Sequence, residues 1–201
     1  MANRRDAIKI GLGLGAIALL PARASTETLT VNQVLFDPDG PVLGNPKGDV
    51  TIVEYLDYQC PYCKANHPMI SKIVAADGNL RLVMKDWPIF GPPSIRATQL
   101  ALGSVDLGKY KLANEALMKT QSPLNDEKIE AALASVGIDV AEAAAAFSKN
   151  AAKWNGLLMR NEFQAQQFQL PGTPAYIVGT EIYPGVIQEE DLRKAIAKAR
   201  A

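Results

Sequence analysis

The chain reads as an α/β protein in which a β-α-β unit and a later β-β-α unit flank an all-helical block. Three observations support this. Two apolar runs, Asp49 to Leu56 and Asn79 to Lys85, have strand character and bracket one helical stretch. From Ser94 to about Gln169 apolar residues recur at helical spacing. Two short strand-like segments and an amphipathic helix then close the chain.

Residues 1–24 read as an export signal. Arg4, Arg5 and Lys9 form a basic region, Ile10 to Leu20 an apolar run too short to span a bilayer, and Ala22-Arg23-Ala24 a small-residue cleavage site. Asn3 to Lys9 also approaches a twin-arginine signal, with Ala7 where a bulky apolar residue is expected, so the Tat route stays open beside the general one. Cleavage leaves residues 25–201 as one domain large enough to bury a core. The 201-residue chain balances 21 basic against 21 acidic side chains, and the mature part falls to about −3. That balance gives no electrostatic reason to expect nucleic acid.

Residues 25–48 are expected to be an extended lead-in, with Leu35 to Gly44 as an edge strand or hairpin. So short a lead-in leaves no room for a separate dimerisation domain, and a monomer is expected. A strand at Val50 to Leu56, a helix from Cys60 to about Ala76 and a strand at Asn79 to Lys85 make the β-α-β unit, its strands parallel. The helical insertion, about 94–169, contains helices near Ile95–Val105, Tyr110–Met118, Ile129–Val136, Val140–Phe147 and Trp154–Phe168. Asn125 or Asp126 can cap one of these, and Asp139 with Glu142 another. Ala175 to Gly179 and Ile182-Tyr183 form a hairpin, and Glu190 to Ala201 a helix with Leu192, Ile196 and Ala199 inward.

The chemistry-bearing motif is Cys60-Pro61-Tyr62-Cys63, which holds both cysteines of the chain. If Cys60 opens a helix, its sulfur meets unpaired N–H groups and the positive helix end, which favour thiolate. Pro61 fits the first helical turn, where its missing N–H has no partner to lose. Cys63 follows one turn later on the same face, positioned to close a disulfide with Cys60. Exported proteins usually carry several structural cystines, whereas a single close pair fits redox chemistry. A bridge over so short a loop would restrain the unfolded chain little. With His67 the only histidine, one chain lacks the ligands for a tetrahedral zinc site, although a two-thiolate Cu(I) site remains open.

The order β-α-β, helical block, β-β-α, with Cys-Pro-Tyr-Cys at the first helix and Gly172-Thr173-Pro174 before a late strand, resembles a thioredoxin-like fold with a helical insertion. The chain is similar in this way to the DsbA-like family of exported thiol-disulfide oxidoreductases. The resemblance implies that Cys60 is the exposed attacking cysteine and Cys63 the buried resolving one. It further implies that Pro174 is a cis-proline facing the site, and that the Thr173 backbone receives a substrate chain. Glu54, six residues before Cys60, matches a buried acid that exchanges a proton with the resolving thiol; an outward-facing strand carboxylate is the alternative. His67 is expected at the helix surface, and Tyr62 as a residue that tunes the pair.

Implied by this family is a periplasmic oxidase that introduces disulfides into reduced or misoxidised client proteins, is recharged by a membrane redox partner, and needs no cofactor or metal. Two alternatives stand beside it. Cys-Pro-Tyr-Cys with Thr173 before Pro174 also resembles DsbG-like and ScsC-like reductases or isomerases, and the two thiolates could instead make a periplasmic copper-binding module.

Overall fold

The computed structural model describes residues 29–201; the expected export signal at 1–24 lies outside the described residues. Among the described residues a five-stranded sheet is crossed by eight helices. The first elements are α1 (Val31–Leu35), β1 (Val42–Gly44), β2 (Val50–Leu56), α2 (Pro61–Asp77) and β3 (Leu80–Asp86). The helical block follows as α3 (Pro92–Asp106), α4 (Tyr110–Met118), α5 (Asp126–Ser135), α6 (Val140–Lys149) and α7 (Ala151–Gln167). The chain ends in β4 (Ala175–Val178), β5 (Glu181–Pro184) and α8 (Glu189–Arg200).

The sheet order is β1-β3-β2-β4-β5. β2 and β3 run parallel, with Glu54 opposite Met84 and Leu56 opposite Asp86. β2 and β4 run antiparallel, with Glu54 opposite Tyr176. Every residue of β2 and of β3 is buried, because helices cover both faces of this central pair. One face, with Ile52, Leu56, Leu80, Leu82 and Met84, packs under α2, α8 and much of the helical block. The other, with Val53, Tyr55, Val83 and Ile177, packs under α1 and the end of α7.

Three local expectations are corrected. The lead-in contains a helix: Thr30 caps α1 in a reciprocal box, Thr30 N donating to Gln33 Oε1 at 2.8 Å and Gln33 N to Thr30 Oγ1 at 3.3 Å. Only the edge-strand alternative survives for the rest, as β1 pairs with β3 and forms no hairpin. On α8 the inward set is Leu192, Ala195 and Ile196, while Ala199 is exposed at the helix end. The caps fall as expected, Asn125 accepting from Lys128 N and Asp139 from Glu142 N, both at 2.9 Å.

Helices α3 and α6 meet at Gly103, where a Cβ would stand 2.0 Å from the Ala143 carbonyl oxygen. No flexible side chain can yield there, since the obstacle is backbone. Gly103→Ala is expected to destabilise the fold by about 1–3 kcal/mol through overpacking. Thermal unfolding should therefore show a melting temperature lower by several degrees. An unchanged midpoint would mean that the two helices are free to separate.

Candidate active site

β2 ends at Leu56 and the loop Asp57-Tyr58-Gln59 turns the chain into α2. Cys60 N donates to the Asp57 carbonyl at 3.0 Å, which closes this turn. Cys60 is then the N-cap of α2, in extended conformation, and its sulfur accepts from Cys63 N at 3.4 Å. A sulfur thus occupies the place that a Ser or Asp oxygen fills in most helix caps. Pro61 takes the first helical position, and Cys63 sits one turn on, fully buried. Both cysteines are free thiols.

The resemblance implied an exposed Cys60, and the structure differs: Cys60 is also closed off from solvent. The cover is the loop before β4. Thr173-Pro174 is a cis peptide, and the Thr173 carbonyl accepts from the Cys60 thiol at 3.2 Å. The neighbours Pro61 and Tyr62 remain exposed, so the sulfur lies just beneath the surface.

The two thiols are pushed in opposite directions. Cys60 is drawn down to about 6, foremost by the Cys63 thiol donating to it and then by Thr173 and the N–H groups of Cys63 and Tyr62, against the effect of burial. The Thr173 hydroxyl is buried without another partner, so it is available to serve the ionised sulfur. Burial pushes the Cys63 thiol far up, and the nearby charges of Cys60 and Glu54 add to that. Near neutral pH the pair therefore holds one thiolate and one thiol.

Glu54 is fully buried beneath this pair, which removes its outward-facing alternative. Tyr176 OH lies 3.4 Å from Glu54 Oε1 and 2.9 Å from Asn66 Oδ1, while Glu54 Oε2 has no partner. Burial raises its carboxyl to about 8, with the charges of Asp86 and Cys60 adding and Tyr176 opposing. Asp86 shares the same sheet face one step along β3, and burial lifts it to about 7. Tyr110 OH lies 3.2 Å from Asp86 Oδ2, and Tyr58 OH 3.4 Å from Tyr110 OH.

His67 is a second correction. It is buried, 3% exposed, because α4 packs against this face of α2. Its Nε2 lies 3.3 Å from Ser71 Oγ and 3.5 Å from Glu115 Oε2, and burial lowers its pKa. Sequence reasoning also passed over Lys64, whose ammonium joins α2 to the end of α4 through Leu117 O at 3.1 Å and Thr120 O at 3.0 Å. Burial lowers it to about 8. Tyr176, Asn66 and Asp86 were likewise unmarked; strand register brings Tyr176 and Asp86 to the site, and α2 carries Asn66 there. Among the described residues, no three His, Cys, Asp or Glu side chains gather as a metal site.

A central parallel pair flanked by an antiparallel strand, with a dithiol capping the first long helix, is the plan of the DsbA-like thiol-disulfide oxidoreductases. A family profile described as Thioredoxin matches residues 37–198, and the chain belongs to that family. A solved thioredoxin-like oxidoreductase from Silicibacter pomeroyi is 34% identical, with a TM-score of 0.81 over 86% of this chain and 98% of its own. The thiol-disulfide exchange protein alpha-DsbA2 from Wolbachia pipientis is 28% identical, with a TM-score of 0.77 over 83% of this chain and 90% of its own. A periplasmic thioredoxin-like protein from Salmonella enterica serovar Typhimurium is 26% identical, with a TM-score of 0.74 over 84% of this chain and 94% of its own. Among curated sequences, a Na(+)/H(+) antiporter NhaA 1 of Salinispora arenicola is 26% identical over 92% of this chain, which spans only 30% of the antiporter's length.

Two expectations follow from the titrating groups. Iodoacetamide should label the reduced protein at Cys60 with a half-maximal rate near pH 6, and Cys63→Ala should move that midpoint upward by removing the donating thiol. A midpoint that stays put would take Cys63 out of the stabilisation. Glu54 has a folded pKa above its ordinary value of 4.5, so its stabilising contribution is complete below that pH and fades as pH rises through about 8. Relative to Glu54→Gln, the native protein should lose up to about 1.4 kcal/mol per pH unit across this window. Urea unfolding at a series of pH values reads the slope, and parallel profiles for the two proteins would contradict the buried acid.

Proposed function

We propose that the protein is an exported thiol-disulfide oxidoreductase that runs in the oxidising direction, with Cys60 and Cys63 as its redox pair. The single observation that carries this reading is a Cys60 sulfur drawn down to about 6 beside a Cys63 thiol pushed up. A thiolate so stabilised favours the reduced pair, and a pair that prefers to be reduced oxidises its clients.

The cycle starts from the Cys60–Cys63 disulfide. A client thiolate attacks Cys60 Sγ, the S–S bond breaks, and Cys63 leaves as a thiolate. Cys63 takes a proton from the Glu54 carboxyl, which burial keeps largely protonated at neutral pH. The client's second thiolate then attacks the client sulfur of the mixed disulfide and expels Cys60 as a thiolate. The client has lost two electrons to the pair, which ends in the reduced form. On recharging by a membrane partner that withdraws two electrons, Cys63 is the resolving thiol and Glu54, as carboxylate, receives its proton. Thr173 and Pro174 would hold the client strand against Cys60, while Pro61 and Tyr62 shape the approach from solvent. The basic and apolar pattern of residues 1–24 supports a periplasmic location for this chemistry.

The test is the reduction potential of the pair, measured by trapping thiols after equilibration in graded glutathione buffers. A value above the about −270 mV of thioredoxin and toward the about −120 mV of DsbA is expected, since a sulfur drawn down to about 6 falls between the two. A value near the about −270 mV of thioredoxin would overturn the oxidising direction and favour a reductase. Cys63→Ser should also trap clients as mixed disulfides on Cys60. Tight Cu(I) binding without thiol turnover would point to the copper-binding module.

A further inference from the structure

Glu54, Asp57 and Asp86 have no solvent exposure, yet the core provides for them unequally. Asp57 has four donors. Oδ1 accepts from Gln59 N and from Ser94 Oγ, both at 2.7 Å, and Oδ2 from Ile89 N at 2.7 Å and Phe90 N at 3.1 Å. Two of these come from the loop between β3 and α3, distant in sequence. Together they fill the acceptor capacity of an ionised carboxylate, so Asp57 is built to carry charge.

Glu54 and Asp86 each keep one oxygen without any partner. Asp86 Oδ2 has Tyr110 OH at 3.2 Å and Glu54 Oε1 has Tyr176 OH at 3.4 Å. Asn161 of α7 donates to the Asp86 backbone carbonyl at 3.0 Å, so its amide leaves the carboxyl aside. The two acids are diagonal neighbours on one sheet face, because Glu54 stands opposite Met84 and Asp86 lies two residues further along β3. The charges that bear on them have the same sign: Asp57 presses on Asp86, and Asp86 and Cys60 press on Glu54. Lys85, beside Asp86 in β3, faces the other side of the sheet toward Asp37. Two charges here would repel each other where water does not reach, whereas one proton between the two acids leaves a single carboxylate for the tyrosine hydroxyls to serve.

We propose that Asp86 is a positioning residue for proton transfer at the thiol pair: it shares one proton with Glu54 over the neutral range, and its carboxylate keeps that proton on Glu54, ready for Cys63. The inference rests on the thiol-exchange reading of Cys60 and Cys63. When the disulfide opens, Cys63 leaves as a thiolate and takes the Glu54 proton. Glu54 and Asp86 then regain one proton from solvent, which is the proton that opening the disulfide consumes. On recharging, Cys63 returns a proton to Glu54 and the pair releases one.

The experiment has two readouts. Infrared spectra of the reduced protein, with isotope-labelled glutamate, follow the carbonyl band of protonated Glu54 as pH rises. In the native protein that band should fade with a midpoint near 8. Asp86→Asn should lower the midpoint by roughly one pH unit, a tenfold change in proton affinity. Asp86→Leu, which removes the charge and adds no polar group, should do the same and carries this arm if the amide variant does not fold. The second readout is the rate at which oxidised protein forms a mixed disulfide with a single-cysteine peptide, divided by the peptide's thiolate fraction. This rate should fall as Glu54 loses its proton, and the fall should come at lower pH in the Asp86 variants. Combined with Glu54→Gln, an Asp86 substitution should leave the rate profile where Glu54→Gln alone puts it. A Glu54 midpoint unmoved in both Asp86 variants would overturn the shared proton. A midpoint that moves while the rate profile does not would overturn the role in proton transfer, and a profile that still moves in the Glu54→Gln background would overturn action through Glu54. A native protein that forms no mixed disulfide would overturn the thiol-exchange reading and the role of Asp86 with it, while the infrared midpoint still decides whether the two acids share a proton.

Discussion

A thiolate at Cys60 has to be held by donors fixed before any substrate arrives, because charge in a closed site cannot rely on water. The start of α2 meets that need through backbone geometry, with Cys60 as the cap and Cys63 N pointing at its sulfur. Much else follows from this placement. β2 must stop at Leu56 so that the turn closed by Asp57 O and Cys60 N can aim the helix. Helix α4 must reach the first turns of α2, where Lys64 donates to its last carbonyls and pairs a cation with the negative end of that helix. The β4 approach must bring Thr173 over the sulfur. The sheet is the frame on which these three requirements are met together.

Beneath the sulfur lie two carboxyl groups that burial keeps protonated well above their usual range. Glu54 and Asp86 face the same side of adjacent parallel strands, so ionising one raises the cost of ionising the other. Tyr176, Tyr110 and Tyr58 offer hydroxyls to them, but Glu54 Oε2 and Asp86 Oδ1 stay unpaired. An apolar pair of the same shape would pack without that penalty. What the acids add is proton capacity inside a layer of the core that water does not reach.

Much of this arrangement is legible in the sequence. The bounds of β2 and α4 can be read directly because alternation in one and helical spacing in the other run for several residues without conflict. The order of elements and the pair Cys60/Cys63 likewise need only local pattern. Helix α1 spans five residues, too few to establish a period, and its signal is the Thr30 to Gln33 box alone. The covering of Cys60 and the burial of His67 depend on residues as distant as Thr173 and Glu115, and no local pattern reports such packing. Asp57 is the sharpest case. As an acid at a strand end it reads as a solvated turn residue, and its four donors become visible only once the loop after β3 is in place.

The contact between Cys60 and Thr173 joins residues 113 apart in the chain, with the whole helical block between them. A polypeptide made from its N-terminus presents the cysteine pair long before the segment that covers it. Until that segment arrives, Cys60 has at most the help of its own helix, and β2 lacks its neighbour β4. The acid character of the thiol and the closure of its surroundings are thus acquired late, as properties of the finished domain. An emerging chain carries an ordinary pair of cysteines, open to pairing by other oxidants.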